Sequence, residues 1–523
     1  MREKSLSITL SKTGYILGPA FFLLILFWPA ENFFIQIATQ NLKGISIGPE
    51  VIQSLASSVR VVFGLLFWMV IWWITEAVPI PVTALLPGII LPAFHVIGFN
   101  NNETFLFNPV HALRGYAHPI IFLFLGGFLI AAAIQKSGLD RRITLWILTR
   151  GNLANSTRGV LLGLMSATAF LSMWISNTAT TAMMLPIGLG ILRRLNVKPG
   201  ESNYGKSVML GIAWSASIGG IGTIIGSPPN GIAVSILESQ KLANINFLDW
   251  MKIGIPLVVG FIPLAWWLLN NRLKPEVKQI PGGKKELVKE RENLGPLSTS
   301  EKAATFAFCL AVLLWLTNPF WPHLFPQEIY EKMSWINEYI IALGVGVLLF
   351  CIPIDWKKRR FLLGWEDTKF VHWGTLLLFG GGIVLSDAMF KTGLAAWIGK
   401  SFIGIFGNPS TLFMVLIIIV LVVWMSDVTS NTAVASMMVP IVISIAFSTG
   451  KDPVALALSA GIAVSLAFML PVATPPNALV YGTGYIKIAD MVRIGFILEI
   501  LGRIFVIATI YIFANWIFGI VKL

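Results

Sequence analysis

Apolar residues in this chain are gathered into blocks rather than alternating with polar ones. Most blocks run about 17 to 25 residues, the length that carries a helix across ~30 Å of hydrocarbon. They predict spans near residues 13–30, 59–78, 79–98, 118–136, 204–240, 250–270, 302–320, 335–353, 371–390, 453–487 and 494–520. The expected class is therefore an all-α polytopic membrane protein with about 11 transmembrane helices. Arg2, Glu3 and Lys4 precede the first block and no small-residue cleavage site follows it, so it reads as an uncleaved span.

Two further blocks break the pattern. Gly159 to Leu192 holds no Asp, Glu, Lys or Arg, and is too long for one span and short for two. Its middle is polar: Ser172, Ser176, Asn177, Thr178, Thr180 and Thr181. Arg150 and Arg158 flank one end, and Arg193 and Arg194 the other, so both ends belong on the cytoplasmic side. The segment is expected to enter, turn at the polar cluster and leave on the same side, as a re-entrant helical hairpin whose tip lines a cavity. Ser401 to Gly450 is its twin, with Asp427 as its one charged residue and Ser426, Thr429, Ser430, Asn431 and Thr432 at its middle.

With these two hairpins in place, 28 of the 38 Lys and Arg residues fall on the cytoplasmic side. The N-terminus lies inside and the C-terminus outside, in a multi-pass protein of the cell (plasma or inner) membrane. The hairpin mouths open on opposite faces. The polar stretch Asn270 to Ser300 links the halves inside, and its Lys284–Glu292 charge run reads as a solvated linker.

Composition agrees: 56% of residues are hydrophobic and 12% charged, against roughly 25% charged in soluble domains. The net charge of +13 is segregated by side, so it speaks of topology and not of nucleic acid. Two cysteines, Cys309 and Cys351, build no disulfide framework, and five scattered histidines offer no metal spacing and no enzyme chemistry.

The chain also repeats itself. Lys136-Ser137-Gly138-Leu139 recurs as Lys391-Thr392-Gly393-Leu394, and Gly126-Gly127 as Gly381-Gly382. Ser176-Asn177-Thr178-Ala179 recurs as Ser430-Asn431-Thr432-Ala433, and Gly226-Ser227-Pro228-Pro229-Asn230 as Ala473-Thr474-Pro475-Pro476-Asn477. The two copies start on opposite sides, which makes an inverted-topology repeat, a plan typical of secondary transporters.

A Pro-Pro pair inside a span removes two donors and breaks the helix, freeing backbone groups at mid-membrane. Half-helix N-termini suit anions, and unwound carbonyls suit cations such as Na⁺. Two equivalent clusters of neutral donors suit a solute with two equivalent anionic ends, and a dicarboxylate is the natural candidate. No Lys or Arg lies in either hairpin, which leaves room for coupling through co-bound cations. Asp427 and Asp387 are intramembrane carboxylates and hence candidates, although Lys391 could pair with Asp387. Glu76 is expected to be a structural residue at a cytoplasmic turn, and Trp72, Trp73, Trp266 and Trp267 interface anchors.

At these residues the chain resembles the divalent anion/sodium symporter family, including INDY-type bacterial dicarboxylate transporters. The resemblance runs from Trp72-Trp73-Ile74-Thr75-Glu76 through both Ser-Asn-Thr motifs to Thr474-Pro475-Pro476-Asn477. It implies a homodimer whose protomers each have a scaffold domain and a transport domain moving as an elevator. It also implies that Asn177, Thr178, Asn431 and Thr432 bind substrate carboxylates, completed by Ser227 and Thr474. One sodium site would use Ser172, Ser176, Asn177 and Gly226, and the other Ser426, Thr429, Asn431 and Ala473. Ser227 stands where Thr is common in the family, and either supplies a hydroxyl.

The resulting expectation is a C4/C5 dicarboxylate carrier with no cofactor and Na⁺ as coupling ion; a sodium-independent exchanger, or a carrier of citrate or sulfate, is the alternative. Its parts would be an N-terminal segment and first span (1–58), repeat-one scaffold helices (59–157) and a repeat-one transport part (158–270). A cytoplasmic linker (271–301) would lead to repeat-two scaffold helices (302–409) and transport part (410–523).

Overall fold

A computed structural model describes residues 2–39, 48–100, 103–150, 153–279 and 283–514, so the end of the last expected span and the C-terminus lie outside the described residues. Among them, nine helices are long and apolar enough to cross a membrane, or ten if the bent pair Gln327–Met333 and Glu338–Cys351 counts as one span. Two of the nine, Thr411–Val428 and Asn431–Thr449, are the arms of the second hairpin. The first hairpin has the arms Thr157–Ser172 and Asn177–Arg194.

Proline explains where the span expectations give way. The block 79–98 is not one helix but two short ones, Ile80–Thr83 and Leu86–Ala93, followed by the antiparallel strands Ile97–Asn100 and Glu103–Leu106. Pro79, Pro81, Pro87 and Pro92 each remove a backbone donor there. The blocks 204–240 and 453–487 are broken as their Pro-Pro pairs require. Asn203–Gly220 is followed by Pro228–Ser239, and Pro453–Ala463 by Pro475–Tyr481. A second strand pair, Pro353–Asp355 with Arg360–Phe361, is the other sheet among the described residues.

The repeated Lys-x-Gly-Leu motif has a local cause. Gly138 (φ +76°) and Gly393 (φ +88°) take the left-handed conformation that ends Pro119–Ser137 and Trp373–Thr392. Each turn launches a shorter amphipathic helix, Leu139–Thr149 or Leu394–Phe406. The repeated Gly-Gly is a packing device: a side chain at Gly126 would collide with the Ala342 carbonyl, and one at Gly381 with the Ala84 carbonyl. Thus a helix of each repeat seats itself against backbone of the other.

Four ion pairs join segments expected on the cytoplasmic face. Lys136 pairs with Asp367 (2.6 Å), Arg142 with Glu301 (2.6 Å), Arg194 with Glu286 (3.0 Å) and Lys206 with Asp490 (3.0 Å). Three side chains depart from expectation. Arg503, one of the 28 basic residues that the charge count puts on the cytoplasmic side, is buried against Glu499. Trp72 and Trp73 are buried rather than interfacial, and the Trp73 carbonyl accepts a bond from Thr429 (3.0 Å).

Candidate functional site

Each hairpin turns through a short non-helical tip, residues 173–176 in the first and 429–430 in the second. Just before the first turn, the buried Ser172 hydroxyl lies 2.8 Å from the Asn177 side-chain oxygen and 2.7 Å from the Ala216 carbonyl. The second tip repeats this: Ser426 lies 2.6 Å from the Asn431 oxygen and 2.7 Å from the Val464 carbonyl. In each cluster one hydroxyl proton faces two acceptor oxygens, so unshared oxygen lone pairs, the kind of group that coordinates a cation, remain.

The Pro-Pro breaks are duplicated just as closely. Ser227 precedes the helix Pro228–Ser239, and Thr474, which accepts from the Asn477 amide N–H (3.3 Å), precedes Pro475–Tyr481. The Asn of each Pro-Pro-Asn satisfies the carbonyls that the break frees. The Asn230 Nδ2 donates to Gly220 and Thr223 carbonyls (both 2.8 Å), and the Asn477 Nδ2 to Ala467 (3.3 Å) and Leu470 (3.0 Å). Unwound backbone at this depth is affordable only because these buried amides occupy it.

Tips and breaks converge on one cavity of about 560 Å³. Asn177, Thr178, Ser227, Asn431, Thr432 and Thr474 all line it, together with Ser176, Ser430 and Ala473. Its lining includes no Lys or Arg. Ser172 and Ser426 lie fully buried behind it. Gly226 is also buried behind it, where a Cβ would lie 2.6 Å from the Gly220 carbonyl oxygen, 2.9 Å from that of Met173 and 3.1 Å from that of Ser172. Thr429 stands apart, because its hydroxyl turns away to Trp73.

The cavity also contains residues that the motifs do not reveal. His372, which precedes Trp373–Thr392, places Nε2 3.0 Å from the Ser176 hydroxyl and lines the cavity beside Phe128 and Thr375. Its one sequence signal is positional: His118 stands at the same place ahead of Pro119–Ser137. Glu76, expected to be structural, caps Pro49–Thr75 in a left-handed turn (φ +45°) and reaches the cavity wall. Asp387 lies elsewhere, 3.2 Å from His111, and Asp427 is buried behind the second tip.

Paired hairpin tips and broken helices around a shared mid-bundle cavity are the architecture of a secondary-transporter-type membrane protein. Two solved transporters share the fold at 12% sequence identity. They are YdaH of Alcanivorax borkumensis (TM-score 0.52, 87% of this chain and 98% of that one) and MtrF of Neisseria gonorrhoeae (TM-score 0.53, 88% and 98%). The chain itself belongs to the sodium:sulfate symporter transmembrane region family, whose profile matches residues 41–520. It is 37% identical to the sodium-dependent dicarboxylate transporter SdcS of Staphylococcus saprophyticus subsp. saprophyticus, over 88% of this chain and 87% of that protein. It is 35% identical to SdcS of Staphylococcus aureus strain MRSA252, over 97% and 92%.

Proposed function

We propose that the protein is a sodium-coupled symporter of C4/C5 dicarboxylates, of the succinate, malate, fumarate and 2-oxoglutarate class. The observation that carries this reading is that one cavity, with no Lys or Arg in its lining, is faced by two matching Asn-Thr tips and two matching hydroxyls at the breaks. Each tip meets one carboxylate through an asparagine amide, a threonine hydroxyl and the N-terminus of a long helix, Asn177–Arg194 or Asn431–Thr449. Ser227 and Thr474 close the ring from the breaks. The volume suits a small acid.

A doubly negative solute in a site that has Glu76 on its wall and no Lys or Arg in its lining needs counter-charge. Sodium supplies it: one ion at Ser172, Ser176, Asn177 and Gly226, the other at Ser426, Asn431, Ala473 and the backbone of Thr429. Each asparagine then links an ion to a carboxylate, which makes ion and substrate binding mutually favourable. The hairpins and broken helices move together as a transport domain (158–270 and 410–523) against scaffold helices (59–157 and 302–409), in an elevator stroke within a homodimer. The SdcS relatives are named as sodium-dependent dicarboxylate transporters, which supports both cargo and coupling ion.

Succinate uptake into proteoliposomes tests the reading. Accumulation is expected only with an inward sodium gradient. Equal accumulation without sodium, accompanied by exit of internal dicarboxylate, would overturn symport in favour of exchange.

A further inference from the structure

The segment between the helices Glu338–Cys351 and Trp373–Thr392 lies on the side that the distribution of Lys and Arg assigns to the cytoplasm. Its strands Pro353–Asp355 and Arg360–Phe361 form a hairpin. The turn carries Lys357, Lys358 and Arg359, and Arg360 follows on the returning strand; all four are exposed. The hairpin is pinned at both ends. At its base, the buried Leu362 and Leu363 donate their N–H groups to the carbonyls of Ile352 (2.9 Å) and Leu349 (3.1 Å). At its turn, Arg359 takes the left-handed conformation (φ +49°), and Asp355 accepts from the Lys358 N–H (3.1 Å).

The positive charge of this turn is unmet within the chain. Among the described residues, none of the four side chains makes an ion pair or a hydrogen bond. Lys136, Arg142, Arg194 and Lys206, by contrast, each meet a carboxylate. Residues 353–361 hold four basic side chains against the single acid Asp355. Farther along the segment, Asp367 is taken by Lys136, and Glu366 is matched in number by Lys369. Four adjacent like charges repel, and an anion from outside the chain relieves them.

Aromatic rings mark where that anion lies. Trp356, beside Lys357, is 73% exposed and meets Phe361 edge-on (ring centroids 6.0 Å apart). Trp365 is 77% exposed and stands 6.5 Å from Phe350, in the last turn of the spanning helix. Indole rings bared at the end of a span belong to the boundary between hydrocarbon and headgroups. Long basic side chains next to them reach headgroup phosphates.

Repeat one builds the same hairpin without the charge. Its strands Ile97–Asn100 and Glu103–Leu106 precede the Gly-Gly helix as these do, and Leu106 corresponds to Phe361 at the offset that relates Gly126 to Gly381. Residues 97–106 contain no Lys or Arg, and Asn101 and Asn102 join the strands in sequence. A hairpin at this point of the repeat therefore does not require a basic turn.

We propose that the turn 356–360 is a docking site for anionic phospholipid headgroups of the adjoining leaflet. The ammonium and guanidinium groups of residues 357–360 meet phosphate oxygens, while Trp356 and Trp365 sit in the interface. The headgroups thereby anchor the segment that leads to His372 at the cavity wall. This site stands whatever anion the cavity carries.

Native mass spectrometry of the purified full chain, titrated with phosphatidylglycerol or phosphatidylcholine, tests the site. The wild type is expected to bind phosphatidylglycerol more tightly. In Lys357→Gln/Lys358→Gln/Arg359→Gln/Arg360→Gln that preference should fall by about fivefold or more, fivefold being the worth of one basic residue near an anionic surface. The control Lys284→Gln/Lys285→Gln/Lys289→Gln/Arg291→Gln removes as many charges from the linker and should keep the preference. If the fourfold turn variant does not insert into membranes, Lys357→Gln/Lys358→Gln carries the test, with the same minimum loss expected. Equal binding of the two lipids by the wild type would overturn the proposal. So would a preference that survives in the turn variants, or one lost equally in the linker control.

Discussion

The two tips hold matching asparagines but rest on different supports. In the first, Ser176 caps the following helix, accepting from the Ala179 N–H (3.4 Å), and meets His372; the residue behind is Met173. In the second, Ser430 makes no side-chain cap, Thr429 is tied to Trp73, and the residue behind is Asp427. The parts that would touch an anion with two like ends are duplicated. The parts that fasten each tip to the rest of the protein have diverged. Symmetry is retained where the ligand is symmetric and dropped where the two tips have different neighbours.

This comparison can be broken most directly at the asparagines. Asn177→Ala and Asn431→Ala should each cut dicarboxylate uptake by about 10- to 100-fold, the worth of a bond to a charged group, while size-exclusion profiles stay normal. Wild-type uptake by either would end the equivalence of the tips. Next come the serines behind them. Ser172→Ala and Ser426→Ala should raise the sodium concentration for half-maximal uptake about tenfold each, leaving substrate affinity at saturating sodium nearly unchanged. An effect at one serine only would assign coupling to one repeat.

Asn230→Ala and Asn477→Ala should each cost about 1–3 kcal/mol in unfolding experiments, because freed carbonyls lose their donors. The loss should be larger at Asn230, whose bonds are shorter. The smallest effect separates the caps. Ser176→Ala should lower stability by about 1 kcal/mol, whereas Ser430→Ala, which removes no cap bond, should leave the unfolding midpoint in place.

Much of this was legible from the chain alone, because a charge-free block with a polar middle and a Pro-Pro pair in a span leave a signal in linear order. The six residues expected to hold the substrate all reach one cavity for that reason. What escaped notice depends on neighbours distant in sequence. His372 meets Ser176 across 196 positions, and nothing local marks it. Arg503 was assigned to a face by its charge, although Glu499 four residues earlier offered a partner. The prolines of 79–98 were visible, but the apolar content of the block outweighed them. Thr429 has the right type and place, yet the direction of its hydroxyl is set by Trp73 on another helix.

The glycine seats at Gly126 and Gly381 bear on how such a chain could be divided. Each half owns a notch shaped for an alanine ridge that only the other half provides, at Ala342 and at Ala84. Expressed alone, either half would expose its empty notch to lipid and its ridge to nothing. Mixed together, the two fragments should find one another without a covalent link, much as separately made jaws close on a common hinge.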